Sequence, residues 1–150
     1  MPKQVNTKQY NITPEEYQEI LKGIDFNSIS LTKLEYYCDL SQHVPDAKLS
    51  LEKSASILSQ LDELATIKFD FNFKALLNNS DVLIAKGEYI LLFSFKDKLT
   101  QDFFNIFENT TLSNLVWPYL RELFSGLTAR SNLPSFYLPL LKFLREAQKA

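Results

Sequence analysis

The stretch Ala65–Leu77, ATIKFDFNFKALL, decides the fold class of this 150-residue chain. Large apolar side chains occupy every second position of its middle, and polar side chains occupy the positions between them. A period of two is typical of a strand with one buried and one solvated face, as in an antiparallel sheet. The apolar row is Ile67, Phe69, Phe71 and Phe73, and the polar row is Thr66, Lys68, Asp70, Asn72 and Lys74.

Three neighbouring segments predict further strands. Residues 26–41 begin with spaced apolar side chains, and residues 47–58 alternate apolar and polar positions. Residues 82–96 follow the turn sequence NNSD and are apolar on both faces near their middle. Gly87 within this last segment marks a bulge or a close approach of another backbone. The sequence therefore predicts four consecutive strands.

The N-terminal part of the chain predicts one short amphipathic helix at residues 12–23, after a flexible start at residues 1–11. Thr13 caps the helix, Pro14 suits its first position, and Glu16 completes a capping box with Thr13. Apolar side chains then recur at helical spacing.

A long helix is predicted after the strands, because the apolar period changes from two to that of a helix. We expect the regular helix to begin near Asn114, so that Pro118 lies in a first turn where amides lack partners. The only tryptophan, Trp117, is expected on the face opposite the apolar stripe. The stripe consists of Leu112, Leu115, Val116, Tyr119, Leu120, Leu123, Phe124 and Leu127.

A last, short helix is predicted from about Pro139, after the helix-breaking sequence SNLP. Strands grouped before helices are typical of the α+β class. We therefore expect a single domain, residues 1–150, with a four-stranded antiparallel sheet and a long and a short C-terminal helix on one face.

Composition excludes several classes of function. The net charge is -2 and the basic residues are scattered among acids, which argues against nucleic acid as a partner. No apolar run approaches the roughly 18 residues of a membrane span. No signal peptide is visible, and one cysteine cannot form an internal disulfide, so we expect a cytoplasmic protein without membrane insertion.

Candidate catalytic residues are few. Cys38 and His43 lie close in sequence and are the only basis for an enzyme, as a nucleophile with its base. A structural thiol and a solvated loop histidine explain them more simply. There is no glycine-rich phosphate loop, and the two residues cannot complete a zinc site. We therefore expect no catalytic residues, no metal and no cofactor.

The chain carries more aromatic side chains than the predicted core row needs. Tyr36, Tyr37, Phe136, Tyr137 and Phe143 lie in segments that flank the sheet. They could all pack in one core, line a small-molecule pocket, or form a subunit interface and an exposed apolar groove. Any single one of them could be core, but the excess taken together favours a subunit interface and an exposed apolar groove.

The stretch from Asn114 to Phe143 resembles the signature of the SecB family of export chaperones. The matching residues are the run Trp117–Glu122 (WPYLRE), Thr128-Ala129-Arg130 and Leu133-Pro134. The additional helix at residues 12–23 is similar to that of the SecB-like chaperones of toxin–antitoxin–chaperone systems.

The resemblance implies an ATP-independent chaperone (holdase) that binds unfolded or nascent polypeptides, either an antitoxin or preproteins. It also implies a homotetramer built as a dimer of dimers. The subunit interface is then expected at Ala85, Gly87, Tyr89 and Trp117. The residues expected to bind clients are Tyr36, Tyr37, Phe136, Tyr137, Leu140, Phe143 and Leu144.

Departures from the family pattern concern the translocase motor SecA. Acidic positions that dock SecA in general-export members align with Ser28, Thr32 and Lys86 here. The chain also ends at REAQKA, without the basic tail that binds zinc in those members. We therefore expect a chaperone dedicated to an antitoxin, with delivery of preproteins to SecA as the alternative.

Overall fold

A computed structural model describes residues 12–42 and 46–133 of the chain. A short N-terminal helix is followed by four strands and then by two α-helices that are joined through one π-helical turn, which confirms the α+β class. The helix expected from Pro139 lies outside the described residues, as does the N-terminal segment 1–11. The elements are α1 (Pro14–Lys22), β1 (Ile24–Cys38), β2 (Lys48–Leu61), β3 (Leu64–Leu77), β4 (Ser80–Phe95), α2 (Gln101–Phe107), the π turn (Glu108–Leu112) and α3 (Ser113–Arg130).

The four strands form one antiparallel sheet in the order β1-β4-β3-β2. Strands β1 and β2 are therefore the two edges. The turns between β2 and β3 and between β3 and β4 use left-handed residues, namely Asp62 (φ 55°), Asn78 (φ 52°) and Asn79 (φ 63°). Asparagine and aspartate tolerate this conformation, so the turn expected from NNSD is confirmed.

The predicted alternation of β3 is confirmed, because its apolar row is buried against the helices. Phe124 of α3 stacks on Phe73 with ring centroids 4.6 Å apart and meets Phe71 edge-on at 5.8 Å. Phe107 of α2 meets Phe93 of β4 edge-on, with ring centroids 5.6 Å apart. We call this side of the sheet the helix face and the other side the open face.

The N-terminal helix α1 packs against helix α2. Its capping box forms as expected, with 3.1 Å contacts between Thr13 and Glu16 in both directions. Tyr17 is buried and its ring stacks on Phe103 of α2 at 5.0 Å. Helix α1 is thus part of the folded domain rather than an appended tail.

Helices α2 and α3 form one continuous helical path interrupted by the π turn. The regular α-helix begins at Ser113, close to the expected Asn114, but it continues the helical path, so the expected first-turn position of Pro118 is wrong and this residue lies in the interior of α3. The proline removes one main-chain hydrogen bond to the carbonyl of Asn114. Both residues are exposed, so solvent can satisfy this carbonyl. No helix in residues 12–42 and 46–133 is long and apolar enough to cross a membrane.

The expected position of Trp117 on the free face of the helix is also wrong, because its side chain is only 4% exposed. The buried arc of α3 is rotated by about 70° from the centre of the apolar stripe, counting 100° per residue. Periodicity identifies an apolar arc but not which part of it meets the sheet. Half-exposed residues are left on the other part, namely Leu115, Tyr119 and Leu123.

Candidate functional site

Strand β1 presents a row of apolar side chains on the helix face that α3 does not cover. Phe26 and Leu31 lie opposite the buried Phe93 and Tyr89 of β4. Leu34 lies opposite Gly87, two residues from Tyr89 and therefore on the same face of β4. Residues directly opposite in an antiparallel pair share a face, so these three also point to that side. They remain 37%, 41% and 36% exposed, because β1 is the edge strand.

The half-exposed arc of α3 faces this row. Tyr119 contacts Tyr89 of β4, with ring centroids 6.4 Å apart, and Tyr89 lies opposite Leu31 of β1. Leu115 and Leu123 lie one turn before and after Tyr119 and therefore share its side of the helix. We call the space between them the β1 groove, lined by Phe26, Ile29, Leu31 and Leu34 of β1 and by Leu115, Tyr119 and Leu123 of α3.

The other flank of α3 is closed by polar contacts. The Ala55 amide of edge strand β2 donates to Glu108 Oε1 over 2.8 Å. Lys53 Nζ lies 6.0 Å from the centre of the Trp117 ring, which is a cation–π arrangement. The two sides of the helix therefore differ, and the accessible apolar surface belongs to the β1 side.

One end of the β1 groove is closed by a small polar cluster. The Tyr36 hydroxyl hydrogen-bonds with the Ser131 hydroxyl and donates to the Leu127 carbonyl over 3.4 Å. Burial raises the pKa of the neighbouring Cys38 thiol, which keeps the thiol protonated. A thiol with a raised pKa is a poor nucleophile, so the enzyme alternative gains no support here. His43 lies outside the described residues.

Of the residues predicted to bind clients, Tyr36 and Tyr37 lie in the described part of the chain, on opposite faces of the sheet. Tyr36 lies opposite Ala85 on the helix face, whereas Tyr37 lies opposite Ile84 on the open face and is exposed. Adjacent residues of a strand point to opposite sides, so the two rings cannot line one groove. The other residues predicted to bind clients lie outside the described part of the chain, namely Phe136, Tyr137, Leu140, Phe143 and Leu144.

The β1 groove was missed in the sequence because two bulges break the alternation of β1. The pairing with β4 shifts register between Phe26 and Ser28 and again between Leu31 and Lys33. Each shift inserts one extra residue, so apolar residues of one face recur at spacings of two and three. A bulge signal was visible in Gly87, which pairs with Leu34, next to the second shift.

Three residues predicted to form the subunit interface, Ala85, Gly87 and Tyr89, lie on the helix face of the sheet, and the fourth, Trp117, lies on the buried arc of α3. Ala85, Tyr89 and Trp117 are buried and contact the protomer's own core. Burial and the charge of Glu122 raise the pKa of Tyr89 to about 12. Gly87 is needed for a close approach, because a Cβ there would lie 2.0 Å from the Lys33 carbonyl oxygen. The expected backbone approach is confirmed, and the interface stays a prediction.

The open face of the sheet is rich in polar and charged side chains, some of which are paired. Lys86 Nζ lies 3.2 Å from Glu35 Oε2. Thr32 Oγ1 donates to Glu88 Oε1 over 3.1 Å. Two shallow depressions on this face are lined mainly by charged and polar side chains, which is unlike an apolar small-molecule pocket. Within residues 12–42 and 46–133, no group of three His, Cys, Asp or Glu residues could hold a metal ion.

Comparison with known proteins relates the chain to solved structures. A Mycobacterium tuberculosis SecB-like chaperone, Rv1957, in complex with a ChAD peptide from the HigA1 antitoxin, superposes with a TM-score of 0.70. The match covers 83% of this chain and 91% of that chain, at 19% sequence identity. It confirms the SecB-like fold expected from residues 114–143.

A protein of unknown function from Streptococcus agalactiae also superposes, with a TM-score of 0.50 and 11% identity, over 77% of this chain and 96% of that chain. No family model matches the sequence, and neither does any curated protein.

Proposed function

We propose that this protein is an ATP-independent chaperone that holds unfolded polypeptides, and that its client is an antitoxin of a toxin–antitoxin–chaperone system. The observation that carries the proposal is the β1 groove. Support for the client comes from the SecB-like chaperone of the same fold, which was solved with an antitoxin peptide.

The β1 groove offers what an extended polypeptide needs. Its apolar side chains are spaced along a strand, so they can receive alternate side chains of a second extended chain. Strand β1 is also an edge, and an edge strand presents unpaired backbone groups to a partner. Because these contacts depend little on the identity of the bound residues, the groove suits clients of varied sequence.

Charge on the open face supports the antitoxin client over delivery of preproteins to SecA. Of the three aligned docking positions, Ser28 and Lys86 lie on this face and Thr32 lies in the second bulge of β1. Glu35 and Glu88 could have supplied acidity instead. Glu35 is paired with Lys86, however, and Glu88 accepts from Thr32. The Thr32 hydroxyl is neutral and leaves the charge of Glu88 in place, but the pairing of Glu35 with Lys86 weakens the attraction of this face for a basic docking partner.

We expect the protein to assemble as a homotetramer, a dimer of dimers, as the SecB resemblance implies. Multi-angle light scattering at micromolar concentration should report about four times the 17.4 kDa protomer mass. A monomer alone at that concentration would contradict the assembly but not the groove.

Changing Leu31 to aspartate is expected to weaken binding of a permanently unfolded polypeptide about tenfold or more, because it places a charge in the middle of the groove. The melting temperature should change little, since Leu31 is already 41% exposed. Fluorescence anisotropy of a labelled, reduced and carboxymethylated protein measures the affinity.

Leu58→Asp is the matched control, because Leu58 is exposed and lies on the opposite edge strand. It should bind as the wild type does. Equal losses in both variants, or none in Leu31→Asp, would remove the groove as the binding site.

The antitoxin client is tested separately by the neighbouring genes: the absence of an adjacent toxin–antitoxin pair would contradict it and leave the holdase in place.

A further inference from the structure

The π turn between α2 and α3 sets which side of α3 meets the sheet. A π turn closes through i to i+5 hydrogen bonds and so takes about one residue more than an α turn. The helix after it is therefore rotated by roughly 80–100° from where an uninterrupted α-helix would place it. In the structure, this rotation buries Trp117 and leaves Leu115, Tyr119 and Leu123 beside the β1 groove.

The apolar stripe of α3 fits a second rotation as well as the observed one. With Trp117 at 0°, Tyr119 lies at about 200° and Leu123 at about 240°, while the buried arc is centred near 320°. A regular α turn would advance α3 so that residues near 240° meet the sheet. Tyr119 and Leu123 would then be buried and Trp117 exposed, which is the arrangement that the sequence periodicity predicts.

Contacts from two elements hold the π turn in its wide form. The Tyr17 hydroxyl of α1 lies 3.2 Å from Thr110 Oγ1 and 3.0 Å from Thr111 Oγ1. On the other side, Glu108 accepts from the Ala55 amide of β2. Within the turn, the Ser113 hydroxyl donates to the Glu108 carbonyl over 2.7 Å. A regular turn would move each of these groups away from its partner.

We propose that α1 is a latch that selects the rotation of α3 and thereby keeps the β1 groove open. Tyr17 is the positioning residue: its ring is fixed by stacking on Phe103, and its hydroxyl holds the π turn. When the latch is released, α3 turns, the groove loses Tyr119 and Leu123, and Trp117 moves to the surface. This regulation rests on the proposed function of the groove.

Removing the Tyr17 hydroxyl in Tyr17→Phe tests the latch. Loss of its hydrogen bonds should shift the balance of the two rotations about fivefold towards the turned form. Trp117 is the only tryptophan, so its emission reports the rotation directly. We expect a red shift, stronger acrylamide quenching and a weaker affinity for the unfolded polypeptide, with unchanged helix content. Saturating polypeptide should restore the buried emission.

Tyr37→Phe is the matched control, because Tyr37 lies on the open face far from the turn, and its emission should equal the wild type. A second variant deletes the exposed Asn109 from the π turn in the Tyr17→Phe background. Deleting one residue gives a regular helix while keeping α3 close to its observed rotation. Both the buried emission and the binding should therefore return.

The latch is overturned if Trp117 emission in Tyr17→Phe stays that of the wild type up to global unfolding. It is also overturned if the Asn109 deletion rescues neither readout. Emission does not require a client, so the rotation is tested even if the wild-type protein binds no unfolded polypeptide, which would contradict the proposed function instead.

Discussion

Gly87→Ala is expected to lower the free energy of unfolding by about 2–4 kcal/mol, because the new methyl group has no space. A Cβ at this position would lie 2.0 Å from the Lys33 carbonyl oxygen and 3.1 Å from the Phe71 ring. The first contact is with backbone, which cannot rotate away. Edge strand β1 must therefore move off β4 at its second bulge, and urea unfolding followed by circular dichroism measures the loss.

Gly126→Ala is the matched control for this substitution. A Cβ at Gly126 meets only the Arg130 guanidinium, at 2.8 Å, and that long side chain can move. Because Gly126 lies within α3, alanine there should stabilise the protein slightly, by roughly 0.5–1 kcal/mol. Equal stability of the two variants would contradict the close approach at Gly87.

Phe124→Ala is expected to cost about 3–5 kcal/mol, since it removes a fully buried ring that joins α3 to β3. The ring stacks on Phe73 and meets Phe71 edge-on, so its loss leaves a cavity between the two layers. Thermal unfolding should show the largest decrease among single substitutions in α3, and binding should fall with the folded fraction.

The same substitution at Phe26 provides the comparison. Phe26 lies in the β1 groove, is 37% exposed and contacts Phe93 at 5.5 Å. Phe26→Ala should cost roughly 1 kcal/mol because little apolar area leaves the core. Its effect should appear in polypeptide binding instead. A similar loss of stability at both positions would mean that Phe26 belongs to the core and not to the groove.

Local chemistry made the strands and the N-terminal helix predictable. The alternation in β3 needs only one buried face, and the capping box of α1 needs only Thr13 and Glu16. The left-handed turn at Asn78 and Asn79 is equally local. In each case residues a few positions apart determine the conformation, and so the pattern and the structure agree.

The candidate site depends on relations between distant segments, and these were not predictable. The two bulges of β1 shift its register against β4. The apolar row from Phe26 to Leu34 therefore does not alternate regularly in the sequence and was not recognised there. The rotation of α3 depends on contacts of the π turn with α1 and β2, more than 50 residues away in the chain. Sequence periodicity therefore placed Trp117 on the wrong side of its helix.

The Glu108 carboxylate accepts a hydrogen bond from the Ala55 amide of β2. The two borders of the sheet therefore differ in how readily they accept another strand. A strand that approached β2 would meet an occupied donor and a negative charge, whereas β1 has no such cover from the described helices. A further extended chain therefore pairs more readily at the β1 border than at the β2 border. Because only one border is open, the sheet of each molecule can gain a strand on one side only, and strand pairing does not propagate into a fibre.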